Sequence, residues 1–195
     1  MPHINNFNFF NRWKYENKNI EMQFYARGFM EERTGGTIEN TSNPYLVEIN
    51  NKLIELSSKT GFRMPAKKGK SIGLQTSFRV HEFDAKFGAN QYNGLQKSAY
   101  LNLINQTYVK DEKNILKFGL SFYVDEIDQD ITEYNLASAD SGEVIALWYS
   151  QEIYAEKRKD VMPGAFAEYF HRWGELISIT TGSVSYTHLR AHETD

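Results

Sequence analysis

The residues best equipped for chemistry fall in three places. Asp125, Asp128, Asp130 and Glu133 bring four carboxylates into one stretch, the oxygen donors that a calcium ion takes. They lack EF-hand spacing and its central glycine, so a solvated acidic segment is the plainer reading. His81, Glu82 and Asp84 set an imidazole beside two carboxylates. In an alternating strand, however, residues 81 and 82 leave on opposite faces and do not converge. Gly69-Lys70-Ser71 matches the end of a phosphate-binding loop, but the first glycine of that loop is replaced by Met64 and a strand-like run follows instead of a helix. His171 reads as a surface residue in a turn. Glu168, within Pro163-Gly164-Ala165-Phe166-Ala167-Glu168-Tyr169, reads as a polar-face carboxylate paired with a Lys or Arg of a neighbouring strand. No nucleophile, base and orienting group assemble from this set. We therefore assign no catalytic residue, no metal and no cofactor, and do not expect an enzyme.

The elements that carry these residues show a period of two. Leu116, Phe118, Leu120, Phe122 and Val124 alternate with Lys117, Gly119, Ser121 and Tyr123, the pattern of a strand with one apolar and one polar face. Run 98–109 behaves alike, and the polar turn Lys110-Asp111-Glu112-Lys113-Asn114 makes a hairpin of the two. The same alternation recurs at 7–15, 20–31, 52–63, 71–82 and 160–170, with 175–182 as a further short run. This predicts about eight antiparallel strands of about 10 residues. The connections read as alternately short and long, with long loops at 32–51, 83–97 and 126–156. Charged strand residues Arg12, Lys14, Arg27, Glu55, Lys59, Arg79, Lys117 and Glu168 all fall on the polar face.

Composition narrows the class. A chain of 195 residues can hold one domain. The net charge of -3 gives nucleic acid no attraction, and the absence of cysteine excludes disulfides and thiolate metal sites. Aromatics make up 14% of the residues, 12 Tyr and 13 Phe among them, which suits strands. No run of about 18 apolar residues is present, but spanning strands leave only alternation in the sequence.

Two arrangements bury such faces: a membrane barrel with the apolar side in lipid, or a soluble eight-stranded barrel holding an apolar ligand inside. Aromatics beside the short turns (Trp13, Tyr15, Phe62, Tyr108, Tyr169 and Trp173) match an interfacial girdle and favour the membrane. The end of the chain, Val184-Ser185-Tyr186-Thr187-His188-Leu189-Arg190-Ala191-His192-Glu193-Thr194, can be back-translated into a transposon-end adaptor of sequencing libraries. We therefore expect residues 1–183 to form the barrel portion and residues 184–195 to be a non-native tail.

Six pieces in order resemble the barrel of a TonB-dependent outer-membrane receptor. They are Phe10-Asn11-Arg12-Trp13-Lys14-Tyr15, Lys59-Thr60-Gly61-Phe62, Ser71-Ile72-Gly73-Leu74-Gln75, Gln91-Tyr92-Asn93-Gly94-Leu95-Gln96-Lys97-Ser98, Lys117-Phe118-Gly119-Leu120-Ser121-Phe122 and Val161-Met162-Pro163-Gly164-Ala165-Phe166-Ala167-Glu168-Tyr169. Together they reach across about 7–182. The resemblance implies an all-β, antiparallel, up-and-down transmembrane β-barrel, of which this chain is a partial wall of about eight strands in a larger, plugged barrel. It implies a place in a Gram-negative outer membrane and import of a scarce nutrient. The partners would be lipid, a plug domain and the TonB complex; plug, TonB box and closing strand are not found in this sequence. On this reading Arg12, Arg27, Lys59, Arg79, Lys117 and Glu168 face the lumen and plug. Tyr45, Phe87, Tyr92, Tyr134, Trp148 and Tyr149 are the candidate loop contacts to the nutrient.

Overall fold

The computed structural model describes residues 2–37, 45–65, 69–137 and 147–192, with backbone alone at 135–137, 147–150 and 192. Nine strands form one antiparallel sheet: β1 His3–Glu16, β2 Ile20–Gly36, β3 Leu46–Arg63, β4 Ser71–Phe87, β5 Asn90–Tyr108, β6 Asn114–Ala137, β7 Leu147–Trp173, β8 Ile177–Tyr186 and β9 Leu189–His192. Strands β1 to β8 pair in chain order, and β9 pairs with β7 above β8. The sheet is all-β and up-and-down as expected, and it is open: β1 forms one edge, and β8 with β9 the other. The gap between β8 and β9 falls at Pro163 of β7, which has no N–H to give to a ladder. Strand β8 runs through the 183/184 boundary without a break.

The strands are longer than the periodicity suggested, 14 residues in β1 and 24 and 27 in β6 and β7. The predicted loop 83–97 is a two-residue turn at 88–89, where Gly88 adopts φ 61°. Most of 32–51 and 126–156 is also strand. The polar, Asn- and Asp-rich composition of these stretches suggested loops, but a ladder is held by backbone groups, which pair whatever the side chains. A bulge at Ile131/Thr132 lets the two longest strands keep pairing. The other end matches expectation better. Asn17 closes the first turn, its Oδ1 accepting from the amides of Asn19 and Ile20 at 2.9 and 2.8 Å. The last of these turns lies at Gly174, φ 62°, so His171 and Trp173 belong to β7 and not to the turn.

The register places all the apolar alternations on one face. Rows such as Trp13–Phe24–Ser58–Thr76–Leu101–Phe122–Pro163 run unbroken across seven strands. Among the described residues, Ala85 is the only buried apolar side chain. By contrast Leu120 is 61% exposed, and Phe118 and Phe122 45%. The buried residues Ala85, Ser98, Asn102, Asp125 and Asp160 all belong to the opposite, polar face. Crowding on that face and splaying on the other are what a sheet curling toward its polar side produces. Among the described residues, the hydrophobic side chains of this sheet form one open face and no apolar core.

Candidate functional site: the polar face

The polar face is built from the alternate residues of each strand. A low row includes Lys117 and Glu168, directly opposite across the β6–β7 ladder and paired at 2.7 Å, and the row above it is Glu16–Glu21–Gly61–Gly73–Ile104–Gly119–Phe166. Higher rows read Lys14–Gln23–Lys59–Gln75–Asn102–Ser121, then Arg12–Tyr25–Ser57–Ser77–Tyr100–Tyr123, then Phe10–Arg27–Glu55–Arg79–Ser98–Asp125–Asp160. All six lumen candidates (Arg12, Arg27, Lys59, Arg79, Lys117, Glu168) therefore share one face. The register adds Ser98 and Asp160 to this face and sets Glu55 between Arg27 and Arg79. Alternation identifies their face, but only the register shows which of them are neighbours.

Charge is unevenly spread over this face. In the three higher rows, strands β1–β4 carry Lys14, Arg12, Lys59, Arg27 and Arg79 against the single carboxylate Glu55. Arg12 donates to Gln23 Oε1 at 3.0 Å, and its guanidinium lies 5.6 Å from the centre of the Tyr25 ring. Arg27, Lys59 and Arg79 make no ion pair among the described residues, and Arg79 Nε is buried without a hydrogen-bond partner. Two clefts open beside Glu55. One of about 360 Å³ is lined by Phe10, Tyr25, Arg27, Glu55, Ser57 and Lys59. The other, of about 230 Å³, is lined by Glu55, Ser77, Arg79, Ser98, Tyr100 and Tyr123.

The β6–β7 side is acidic. Asp125 and Asp160 stand opposite each other and are each 8% exposed. Asp125 accepts from Gln96 Nε2 at 2.9 and 3.0 Å. Asp160 lies 3.0 Å from His188 Nε2 and 3.3 Å from Arg158 Nε, the latter too poorly aligned to count as a hydrogen bond. The acidic stretch of the sequence is thus strand and not loop, and its carboxylates divide. Asp125 and Glu133 fall on the polar face, Asp128 and Asp130 on the other. His81 and Glu82 also part to opposite faces as expected, His81 bonding Asn51 Oδ1 at 2.8 Å.

The candidate loop contacts do not converge. Tyr45 is in a connection, with its ring packed over Gly88. Phe87 ends β4, whereas Tyr92 lies in β5 on the polar face and donates to Gln129 Oε1 at 3.1 Å. Tyr134 is in β6 on the apolar-face side. Trp148 and Tyr149 are strand residues of β7, opposite Leu136 and Asn135. The polar stretches around Tyr92, Tyr134, Trp148 and Tyr149 have loop-like composition but strand backbones.

At the turn after β5, Asp111 accepts from Asn114 Nδ2 at 2.7 Å and from the Lys113 amide at 3.0 Å. These bonds, that from Asn114 foremost, hold its carboxyl below the usual aspartate range. Asn114 also links this turn to β7, its Oδ1 accepting from Tyr169 Oη at 2.6 Å and lying 2.7 Å from His171 Nδ1. No family of known proteins, no curated relative and no solved structure matches the chain.

Proposed function

We propose that this chain is part of the wall of a TonB-dependent outer-membrane receptor that imports a scarce nutrient. The apolar face would meet lipid and the polar face the lumen and plug, with the plug and the TonB complex supplied outside this stretch. The observation that supports the reading is the inversion of burial: Ser98, Asn102, Asp125 and Asp160 are enclosed, while Leu120, Phe118 and Phe122 are open. A soluble barrel with an apolar ligand inside calls for the reverse. A closed wall in lipid also satisfies its backbone groups within the ladder. On β3, β4, β6 and β7 the apolar rows cover eight steps of about 3.3 Å, or about 26 Å along each strand, which at a tilt of about 40° gives about 20 Å of depth against an apolar band of about 25 Å.

Absence of cysteine makes the test direct. A single cysteine replacing Phe122 or Tyr123 in the full-length protein is labelled with a fluorophore and reconstituted with brominated lipid. The reading expects strong quenching at 122 and little at 123. Equal quenching at both, or a protein that stays monomeric in water without detergent, overturns it.

A further inference from the structure

We propose that the basic half of the polar face binds a small oxyanion, a carboxylate or phosphate, attached to a planar or apolar body. The inference rests on the polar face lining the lumen, as proposed above, and on the plug leaving this cleft open. The site is the cleft of about 360 Å³ between β1, β2 and β3. Ser57 forms its floor. Lys59 lies one row to one side on the same strand, and Arg27 one row to the other side on β2. Phe10 and Tyr25, whose ring centres are 6.3 Å apart, form the apolar end.

Three observations lead to an anion. In the three higher rows of β1–β4, Lys14 is paired to Glu16 and Glu21 of the row below, which leaves Arg12, Arg27, Lys59 and Arg79 against the one carboxylate Glu55, an excess that an anion relieves. Arg27 and Lys59 are exposed and make no ion pair among the described residues, although Glu55 lies directly opposite Arg27. In the adjoining cleft, Arg79 Nε is buried and unpartnered beside the hydroxyl-bearing residues Ser77, Ser98, Tyr100 and Tyr123. Guanidinium, ammonium and hydroxyl donors around a concavity are the donor set that oxyanions take. The aromatic end offers a body-sized contact of a kind that inorganic phosphate cannot use. Glu55 is the gate on affinity, because its carboxylate competes with the ligand for Arg27 and Arg79.

Binding is measured by calorimetry on the full-length protein in detergent, with phthalate, neutral phthalamide and inorganic phosphate as probes. We expect phthalate to bind most tightly, phosphate weakly and phthalamide not at all. Arg27→Gln or Lys59→Gln should weaken phthalate at least about tenfold, the loss of one charge-assisted hydrogen bond. Glu55→Gln should tighten it, an outcome that misfolding does not give. Lys117→Gln, on the same face but paired to Glu168, should leave it unchanged. Equal binding of phthalamide, an equal loss in Lys117→Gln, or no gain in Glu55→Gln overturns the proposal. Phosphate binding as tightly as phthalate removes the planar body and overturns that part. Lipid quenching at position 122 is read in parallel on the labelled protein in brominated lipid, so failure of the anion site is separable from failure of the membrane reading.

Discussion

Lys117 and Glu168 face each other across the β6–β7 ladder and join at 2.7 Å, although 51 residues separate them in the chain. The pair marks the lower polar face and fixes β7 against β6 with Leu116 and Phe118 on the reverse side. Both side chains are more than a third exposed, so screening by solvent limits its worth. A double-mutant cycle of Lys117→Ala and Glu168→Ala should give a coupling of about 0.2–1 kcal/mol. Denaturant midpoints measure it, and the coupling should shrink as salt rises.

The apolar face gives a sharper expectation. Leu120 is 61% exposed, so in water Leu120→Arg would be nearly neutral. In a bilayer, a mid-depth arginine on the lipid side costs about 2–4 kcal/mol. Folding yield and stability in vesicles should fall by that amount, while Ser121→Arg, one residue along on the polar face, should fall much less. Equal effects of the two would contradict the assignment of faces.

Asp125 and Asp160 place like charges directly opposite in a crowded row. Asp125→Asn removes the repulsion and keeps an acceptor for Gln96. We expect it to raise stability by about 0.2–1 kcal/mol, read from the denaturant midpoint. Asp125→Ala, which strands the Gln96 amide, should not share the gain.

Gly119 leaves no room for a side chain. A Cβ there would lie 2.3 Å from the Leu103 carbonyl oxygen and 2.6 Å from the Phe166 ring. Gly119→Ala should therefore push β5, β6 and β7 apart and cost about 1–3 kcal/mol, measured by thermal or denaturant unfolding.

The turn at Asp111 carries a pH signature. Its carboxyl is held below the ordinary value of 3.8 in the folded chain. The contribution is therefore fully present above 3.8 and lost as pH falls through the lower folded value. The protection factor of the Lys113 amide, the unstructured exchange rate divided by the observed rate at the same pH, should fall below that value, whereas in Asp111→Asn it should stay flat over the same range.

The faces of the sheet were legible in the sequence because alternation is a property of single strands. Residues 116–124 assign Lys117 and Phe118 to opposite sides without any knowledge of their neighbours, and the pairing of Glu168 with a cation was expected on the same ground. Strand ends were not legible. Polar runs such as Asn90–Asn93 read as loop, yet their backbones continue the ladder. Nor was adjacency. That Glu55 sits between Arg27 and Arg79, or that Asp125 meets Asp160, depends on the registers of separate hairpins, which no local pattern encodes.

On the apolar side, Lys97, Glu126 and Lys159 continue the uppermost apolar row of Ile54 and Val80, and Lys52 and Glu82, joined at 3.2 Å, hold the row above it. If the proposed lipid contact holds, these rows act as a depth stop. Lowering the wall by two residues would submerge these charges, and raising it would lift the Val124 row, at the upper rim, into water. The vertical seat of the protein would then be written into its side chains, with no anchor beyond the wall itself required to set it.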